Sequence, residues 1–428
     1  MGRNLTIHHT DYKTLKGDCD LPGDKSIAIR ALIMSAIFSD HPVKIYNLPN
    51  SEDVNACVDA LEKLGCKFET HKKFLLFFPA KKWQNATVNA QNSRTTLALV
   101  IALAAVKHIE VKIVGDGVLS YRSLRDILDL TKQFGVEIEH TNFKLPIVVR
   151  TGVSTYPEEV FLAGSAQCKS LAILLAADSH QHTAFREAEP SRDHTERLLI
   201  CNGWKKSPRG IRMFAMERLT DQPWMDEIYI PSDPSSAAFL MVLSAFAKDT
   251  HPIKLKAVCL NLHRLGFLEI LYLNYAISNI RSQSGELVGD IYLEPGIEDA
   301  GRIDSRSINS NDLIDEFPIL AVAACFLKEE SILRLPERLQ NKESDRIKAI
   351  LDLLDRFEVS YSYKDYELRI KGGTAAKHKH ITLEECMDHR IQKSAIIMAI
   401  LTESSITLNH SEYLNVSFPG FLILLTSS

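Results

Sequence analysis

Two kinds of apolar pattern alternate along the chain. Six segments, 26–38, 95–106, 170–177, 235–247, 316–326 and 391–401, are apolar on most faces of a helix. A helix that is apolar all round belongs inside a large core. Between them lie amphipathic segments that end in glycine or a substitute and run into an alternating strand. Asp59-Ala60-Leu61-Glu62-Lys63-Leu64-Gly65-Cys66-Lys67-Phe68-Glu69 and Asp129-Leu130-Thr131-Lys132-Gln133-Phe134-Gly135-Val136-Glu137-Ile138-Glu139 are the clearest copies. Weaker copies are Leu198–Trp204, one ending near Leu273–Ile277, and Asp352–Tyr361. Glycine at that place stops a helix because it tolerates left-handed backbone. The turn positions are 65, 135, 203, 275 and 358, spaced by 70, 68, 72 and 83 residues. A unit of about seventy residues fits six times into the 428-residue chain. The pattern therefore predicts duplicated α/β units, with three buried helices in each half. The halves are expected to meet near Pro231-Ser232-Asp233-Pro234, where two prolines interrupt the regularity.

Composition narrows the class. The chain is 45% hydrophobic and 24% charged, as globular proteins are. Fifty Lys+Arg against 54 Asp+Glu give a net charge of −4, so no broad basic face for nucleic acid is expected. No stretch reaches the ~18 apolar residues of a membrane span. Residues 1–6 lack the apolar core of a secretory signal, which makes the cytoplasm the expected location. The eight cysteines show no CxxC or zinc spacing and read as reduced core thiols, and no metal site is expected. Glycine is scarce, 19 residues, or about 4% against the usual ~7%.

Polar motifs stand at the mouths of the apolar helices. Leu21-Pro22-Gly23-Asp24-Lys25-Ser26-Ile27-Ala28-Ile29-Arg30 is a turn leading into a helix, with a lysine in its first turn and an arginine about one turn on. Free backbone N–H groups and the helix dipole favour an anion there. Ser165-Ala166-Gln167-Cys168-Lys169-Ser170 opens a second buried helix, and Glu189-Pro190-Ser191-Arg192-Asp193-His194-Thr195-Glu196-Arg197 is expected to open a third. Leu313-Ile314-Asp315-Glu316-Phe317-Pro318 sets carboxylates at another apolar helix start, and Asp388-His389-Arg390 precedes the last. Lys342-Glu343-Ser344-Asp345-Arg346 packs four charges into five residues. On a helix, Lys342 and Arg346 would share one face, with Glu343 beside Arg346. Each motif alone fits ordinary capping or a solvated face. Their recurrence in a net-acidic chain describes a focused cationic pocket for a multiply anionic small molecule.

Together these motifs, with Asp233-Pro234-Ser235-Ser236-Ala237-Ala238 and Ser417-Phe418-Pro419, resemble the 5-enolpyruvylshikimate-3-phosphate synthase family nearly end to end. At least seven motifs occur in family order. The related UDP-N-acetylglucosamine enolpyruvyl transferases fit less well, because their cysteine loop and sugar-binding pattern are missing. The resemblance implies the two-domain enolpyruvyl transferase fold, an α/β architecture of six βαβαββ units, three per domain, with buried parallel helices. It places one domain at 22–232 and the other at 1–21 plus 233–428, with two chain crossovers and ligands bound in the cleft between domains. It also implies transfer of the enolpyruvyl group of phosphoenolpyruvate to the 5-hydroxyl of shikimate 3-phosphate, with release of phosphate and without metal or organic cofactor. The expected partners are these two anionic small molecules, and the expected state is a monomer.

By the same resemblance, Lys25, Asp315 and Glu343 are the catalytic residues. Lys25 takes part in proton transfer, Asp315 orients or deprotonates the 5-hydroxyl, and Glu343 donates a proton. Lys25, Ser26, Arg30, Ser165, Gln167, Ser191, Arg192, Asp315 and Lys342 bind shikimate 3-phosphate. Lys25, Arg122, Gln167, Arg346 and Arg390 bind phosphoenolpyruvate, the planar arginine forks suiting carboxylate and phosphate.

Two departures stand out. In Asn92-Ser93-Arg94-Thr95-Thr96-Leu97-Ala98, Arg94 replaces a glycine that in the family lies against phosphoenolpyruvate, and Ala98 occupies an arginine position. Arg94 turned inward would occupy that ligand's place; turned outward, its charge would partly replace the one lost at Ala98. The segment Ser411–Ser417 also lacks the lysine that many members carry just before Phe-Pro. These losses predict weaker phosphoenolpyruvate binding. They leave two alternative readings, a paralogue with another substrate and a non-catalytic protein that binds shikimate 3-phosphate.

Overall fold

A computed structural model describes residues 4–177, 183–249, 251–297 and 301–426. The chain forms two compact units. The first comprises Gly23–Pro231 with the short segment Ser282–Glu286, and the rest of the described chain forms the second. No helix among the described residues is long and apolar enough to cross a membrane.

Among the described residues six sheets carry the fold, three in each unit. In the first unit one plan repeats. Ala86–Asn89 runs parallel to Val111–Val114, which pairs antiparallel with Lys144–Val149, which pairs antiparallel with Ile138–Thr141. Glu159–Leu162, Ala184–Glu187, Met213–Arg218 and Trp204–Gly210 follow the same order and directions. So do Glu227–Tyr229, Val43–Tyr46, Phe74–Phe78 and Lys67–Thr70. A parallel pair cannot be closed by a tight turn and needs a crossover. In the sheets that begin with Ala86–Asn89 and Glu159–Leu162 the crossover contains a buried helix.

The second unit uses shorter versions. One sheet has four strands, including Gly17–Cys19 parallel to Ile253–Cys259, and the other two have three. In the sheet of Glu330–Arg334, the parallel partner is reduced to a single bridge from Asp304 to Ile332. The last sheet pairs His380–Leu383 with Ser405–Leu408 and is completed by Leu5–Ile7 from the start of the chain.

Six helices form the cores: α1 (Lys25–Phe38), α2 (Arg94–Val106), α3 (Ala166–Leu175), α4 (Pro234–Phe246), α5 (Phe317–Ala324) and α6 (His389–Leu401). Every α2 residue from Thr95 to Ala105 is buried. In the first unit α2 packs on both α1 and α3; in the second, α4, α5 and α6 pack on one another. Five of the six begin at a side-chain cap: Asp24, Ser93, Ser165, Asp233 and Asp388 each accept a backbone N–H two or three residues on. The sixth, α5, starts after Glu316, whose side chain makes no such bond. The caps fix where each apolar helix meets its polar approach.

Several expected boundaries shift. Helix α3 starts at Ala166 rather than 170, because Ser165 caps it, and α5 covers only Phe317–Ala324. The motif Ser191–Arg197 opens the seven-residue helix His194–Ile200, which is not one of the six buried helices. Lys342 and Arg346 do not share a helix face. Asp345 caps the helix Arg346–Arg356, so Lys342–Ser344 precede it in extended or irregular backbone. The fourth repeat turns at Tyr272, with φ 47°, not near 275. No glycine stands at that helix end, so nothing along the chain marks the turn. Gly65 and Gly135 do take left-handed backbone after their helices.

Gly23 is needed for another reason. A Cβ there would lie 2.1 Å from the Asn47 carbonyl oxygen. Gly23→Ala is expected to lower stability by about 1–3 kcal/mol, as overpacking does. A thermal melt of the variant against the parent chain checks this, and an unchanged midpoint would contradict it.

Candidate active site

In the first unit the polar motifs form a chain of contacts around the starts of α1, α2 and α3. Asp24 accepts the N–H of Ile27 at 3.0 Å, which starts α1 with Lys25 as its first residue. The Lys25 ammonium lies 2.5 Å from Asp53 Oδ2, in the first turn of the helix Glu52–Lys63. Arg30, buried one turn further on, donates its Nε–H to the hydroxyls of Ser170 and Thr195, both at 3.1 Å. Its remaining nitrogens reach the carbonyls of Ser26 at 2.8 Å and Ala166 at 3.2 Å. Arg30 thereby ties α1 to α3 and to the helix His194–Ile200.

Ser165 caps α3, and Gln167 donates to the Thr95 hydroxyl at 3.0 Å, joining the start of α3 to the start of α2. The Ser191 hydroxyl donates to Glu187 Oε1 at 2.8 Å. Arg192 follows it, half-buried. Behind this loop His194 Nδ1 lies 2.7 Å from Glu286 Oε1, and both side chains are buried. Arg122 ends the short helix Gly117–Tyr121, its N–H donating to the Leu119 carbonyl at 3.2 Å.

Arg94 has a definite place. It is the first residue of α2, and its guanidinium is ion-paired with Asp126 on the helix Arg125–Gln133. Asp126 Oδ2 also lies 3.4 Å from Cys168 Sγ. Burial, and then the charge of Asp126, push the Cys168 thiol up to about 12, so it stays protonated at neutral pH. The Arg94 Nε is buried without a hydrogen-bond partner, and so are both ends of the Asn92 amide. Ala98 is fully buried within α2, where a cation would need a partner inside the core.

The second unit gathers charge around one arginine. Arg346, 1% exposed, directs its Nε to Asp388 Oδ2 at 2.8 Å, one terminal nitrogen to Asp315 Oδ1 at 3.2 Å and the other to Glu343 Oε2 at 2.6 Å. Arg390 donates to the Asp315 carbonyl at 3.2 Å and lies 3.5 Å from its carboxylate. Lys342 stands 3.9 Å from Asp315. Burial pulls Arg346 toward neutrality, but Asp388, Glu343 and Asp315 outweigh it and hold the guanidinium charged well above its ordinary range. Three cations thus face three carboxylates, and their formal charges balance. Preorganised cations of this kind stabilise developing negative charge, and carboxylates beside them can carry a proton.

The structure brings Asp315, Lys342, Glu343, Arg346 and Arg390 together in one unit. The other unit holds Lys25, Ser26, Arg30, Arg122, Ser165, Gln167, Ser191 and Arg192, of which Ser26 and Arg30 are joined to the start of α3, where Ser165 and Gln167 stand. Sequence reasoning missed Asp53, Asp126 and Glu187, and gave Asn92 no role of its own. The first three are acids on separate elements whose partners are 28, 32 and 4 residues away. Only the orphaned Asn92 amide carries its own structural sign, a buried polar group awaiting a partner.

A family model, EPSP synthase (3-phosphoshikimate 1-carboxyvinyltransferase), matches residues 10–425. A 3-phosphoshikimate 1-carboxyvinyltransferase of Carboxydothermus hydrogenoformans is 32% identical over 424 residues, covering 97% of each chain. The solved EPSP synthase of Acinetobacter baumannii superposes with a TM-score of 0.83 at 27% identity, over 98% of this chain and 97% of that one. The enolpyruvyl transferase NikO of Streptomyces tendae superposes with a TM-score of 0.72 at 14% identity, over 99% and 97%, a likeness of fold.

Proposed function

The chain belongs to the EPSP synthase family and transfers the enolpyruvyl group of phosphoenolpyruvate to shikimate 3-phosphate; we propose that Lys25, Asp315 and Glu343 carry the chemistry. The observation that supports this most is the pairing of Asp315 and Glu343 with the single guanidinium of Arg346. The reaction adds a proton to a methylene carbon and removes one from a hydroxyl as the new C–O bond forms; a proton then leaves the resulting methyl group as the C–O bond to phosphate breaks. Two carboxylates on one arginine suit the first two tasks. An anionic ligand that takes the forks of Arg346 and Arg390 displaces Asp315 and Glu343 from them. A further negative charge among three carboxylates favours proton uptake by one of them. Ligand binding itself then readies Glu343 as the acid, and Asp315, released toward the acceptor hydroxyl, is the base.

In this reading Ser26, Arg30, Ser165, Gln167, Ser191, Arg192 and Lys342, with Lys25 and Asp315, hold shikimate 3-phosphate. Arg122, Arg346 and Arg390, with Lys25 and Gln167, hold phosphoenolpyruvate. Lys25, already 2.5 Å from Asp53, exchanges that partner for substrate. No observation favours an altered substrate or a binding-only protein. Phosphate release measured with both substrates tests the assignment. Turnover that survives Lys25→Met, Asp315→Asn and Glu343→Gln unchanged would overturn it.

The ion pair with Asp126 neutralises Arg94 and withholds its charge from an incoming anion. Asp126 is half-exposed, so the pair is worth about 1 kcal/mol or less. Asp126→Asn is expected to lower KM for phosphoenolpyruvate by up to about fivefold and leave KM for shikimate 3-phosphate unchanged. Steady-state kinetics with each substrate varied separately checks this; an unchanged or raised KM for phosphoenolpyruvate would contradict it.

A further inference from the structure

Lys169 stands on α3 four residues after the Ser165 cap and is only 1% exposed. The reaction assigns it no task. Its ammonium donates a hydrogen bond to the Ser191 carbonyl at 2.8 Å and is ion-paired with Glu187 Oε1 and Glu196 Oε1, both at 3.0 Å. Glu187 Oε1 also accepts the Ser191 N–H at 3.2 Å and its hydroxyl at 2.8 Å. Each polar atom of Ser191 is therefore held by Lys169 or by the carboxylate that Lys169 pairs. Glu196 is shared with Lys206 at 3.2 Å, so two lysines balance two carboxylates.

We propose that Lys169 is a positioning residue for shikimate 3-phosphate: it anchors Ser191 and keeps Glu187 satisfied while the serine hydroxyl turns to the ligand's phosphate. The proposal rests on the reading that Ser191 binds shikimate 3-phosphate, and it assigns the serine hydroxyl to the phosphate group. A phosphate needs a donor, and the Ser191 hydroxyl has one O–H, which it gives to Glu187. Turning it away removes one of two hydrogen-bond donors from Glu187 Oε1. The Ser191 N–H and the Lys169 ammonium remain, so the carboxylate is not stranded. The main chain of Ser191 stays in place because Lys169 still holds its carbonyl. Without Lys169, Glu187 would grip the hydroxyl as one of its last donors, and the loop would lose its anchor.

Two substitutions on the full-length chain should move affinity in opposite directions. Lys169→Met is expected to weaken shikimate 3-phosphate by about tenfold to a hundredfold by titration calorimetry. Its KM for phosphoenolpyruvate and its kcat should stay within about threefold. Glu187→Gln leaves Lys169 paired with Glu196 but grips the hydroxyl less tightly, and it should tighten shikimate 3-phosphate by about threefold. A purely structural role predicts that both substitutions weaken binding or lower kcat. Should Lys169→Met fail to fold, Glu187→Gln decides alone: tighter binding supports the proposal, and unchanged or weaker binding overturns it. Ser191→Ala separates the two levels. If it leaves affinity unchanged, the assignment of Ser191 fails. If it weakens affinity while neither Lys169→Met nor Glu187→Gln moves it, only the role of Lys169 falls.

Discussion

Glu343→Gln is expected to lower kcat by about 10²–10⁴-fold, the usual worth of a positioned general acid. KM for either substrate should change by no more than about threefold, because the proton of Glu343 acts mainly in the transition state. The substitution is a fair test because of what Glu343 touches. Its Oε2 lies 2.6 Å from a terminal nitrogen of Arg346, and a glutamine carbonyl can accept that same N–H. Packing is preserved while the acidic proton is removed. Phosphate release under saturating substrates reads the effect. Near-parental turnover would remove Glu343 from the chemistry and leave Lys25 and Asp315 to supply the proton transfers.

Arg346→Met is expected to cost about 3–5 kcal/mol of stability, the range for removing one partner of a buried ion pair. It should also abolish measurable turnover. The side chain is 1% exposed and faces Asp388, Asp315 and Glu343 at 2.8, 3.2 and 2.6 Å. Its removal leaves Asp388, which is fully buried and caps α6, without its cationic partner. Ser344 still donates to Asp388 Oδ2 at 3.1 Å, and the Arg390 N–H to Oδ1 at 2.9 Å, so a partial shell remains. Denaturant melts measure the stability loss, and phosphate release measures the turnover. A melt unchanged from the parent would contradict the account.

Much of the fold was legible because one signal repeats. Six apolar helices are marked by composition, and five of their starts by Asp or Ser caps. The turns at Gly65, Gly135 and Gly203 were marked by the residue that fits left-handed backbone. The turn at Tyr272 was expected three residues too late because a tyrosine gives no such sign. The site was legible as a set of motifs, each tied to a helix start. The error at Lys342–Arg346 has a plain cause: helical spacing cannot show that Asp345 caps the helix and leaves Lys342 ahead of its first turn.

What the sequence determined by itself was which residues are apolar on every side, where helices are capped and which charged motifs stand at their mouths. Those are properties of short stretches of chain, governed by local backbone preference and the burial of apolar area. Pairing was decided only by the tertiary structure. Arg94 took Asp126, 32 residues on, and Lys25 took Asp53, 28 residues on. Arg346 drew carboxylates from positions 315, 343 and 388. A charge buried by folding must find a counter-charge within hydrogen-bond reach. Which carboxylate that is depends on where distant elements place their first turns, and no spacing along the chain encodes it.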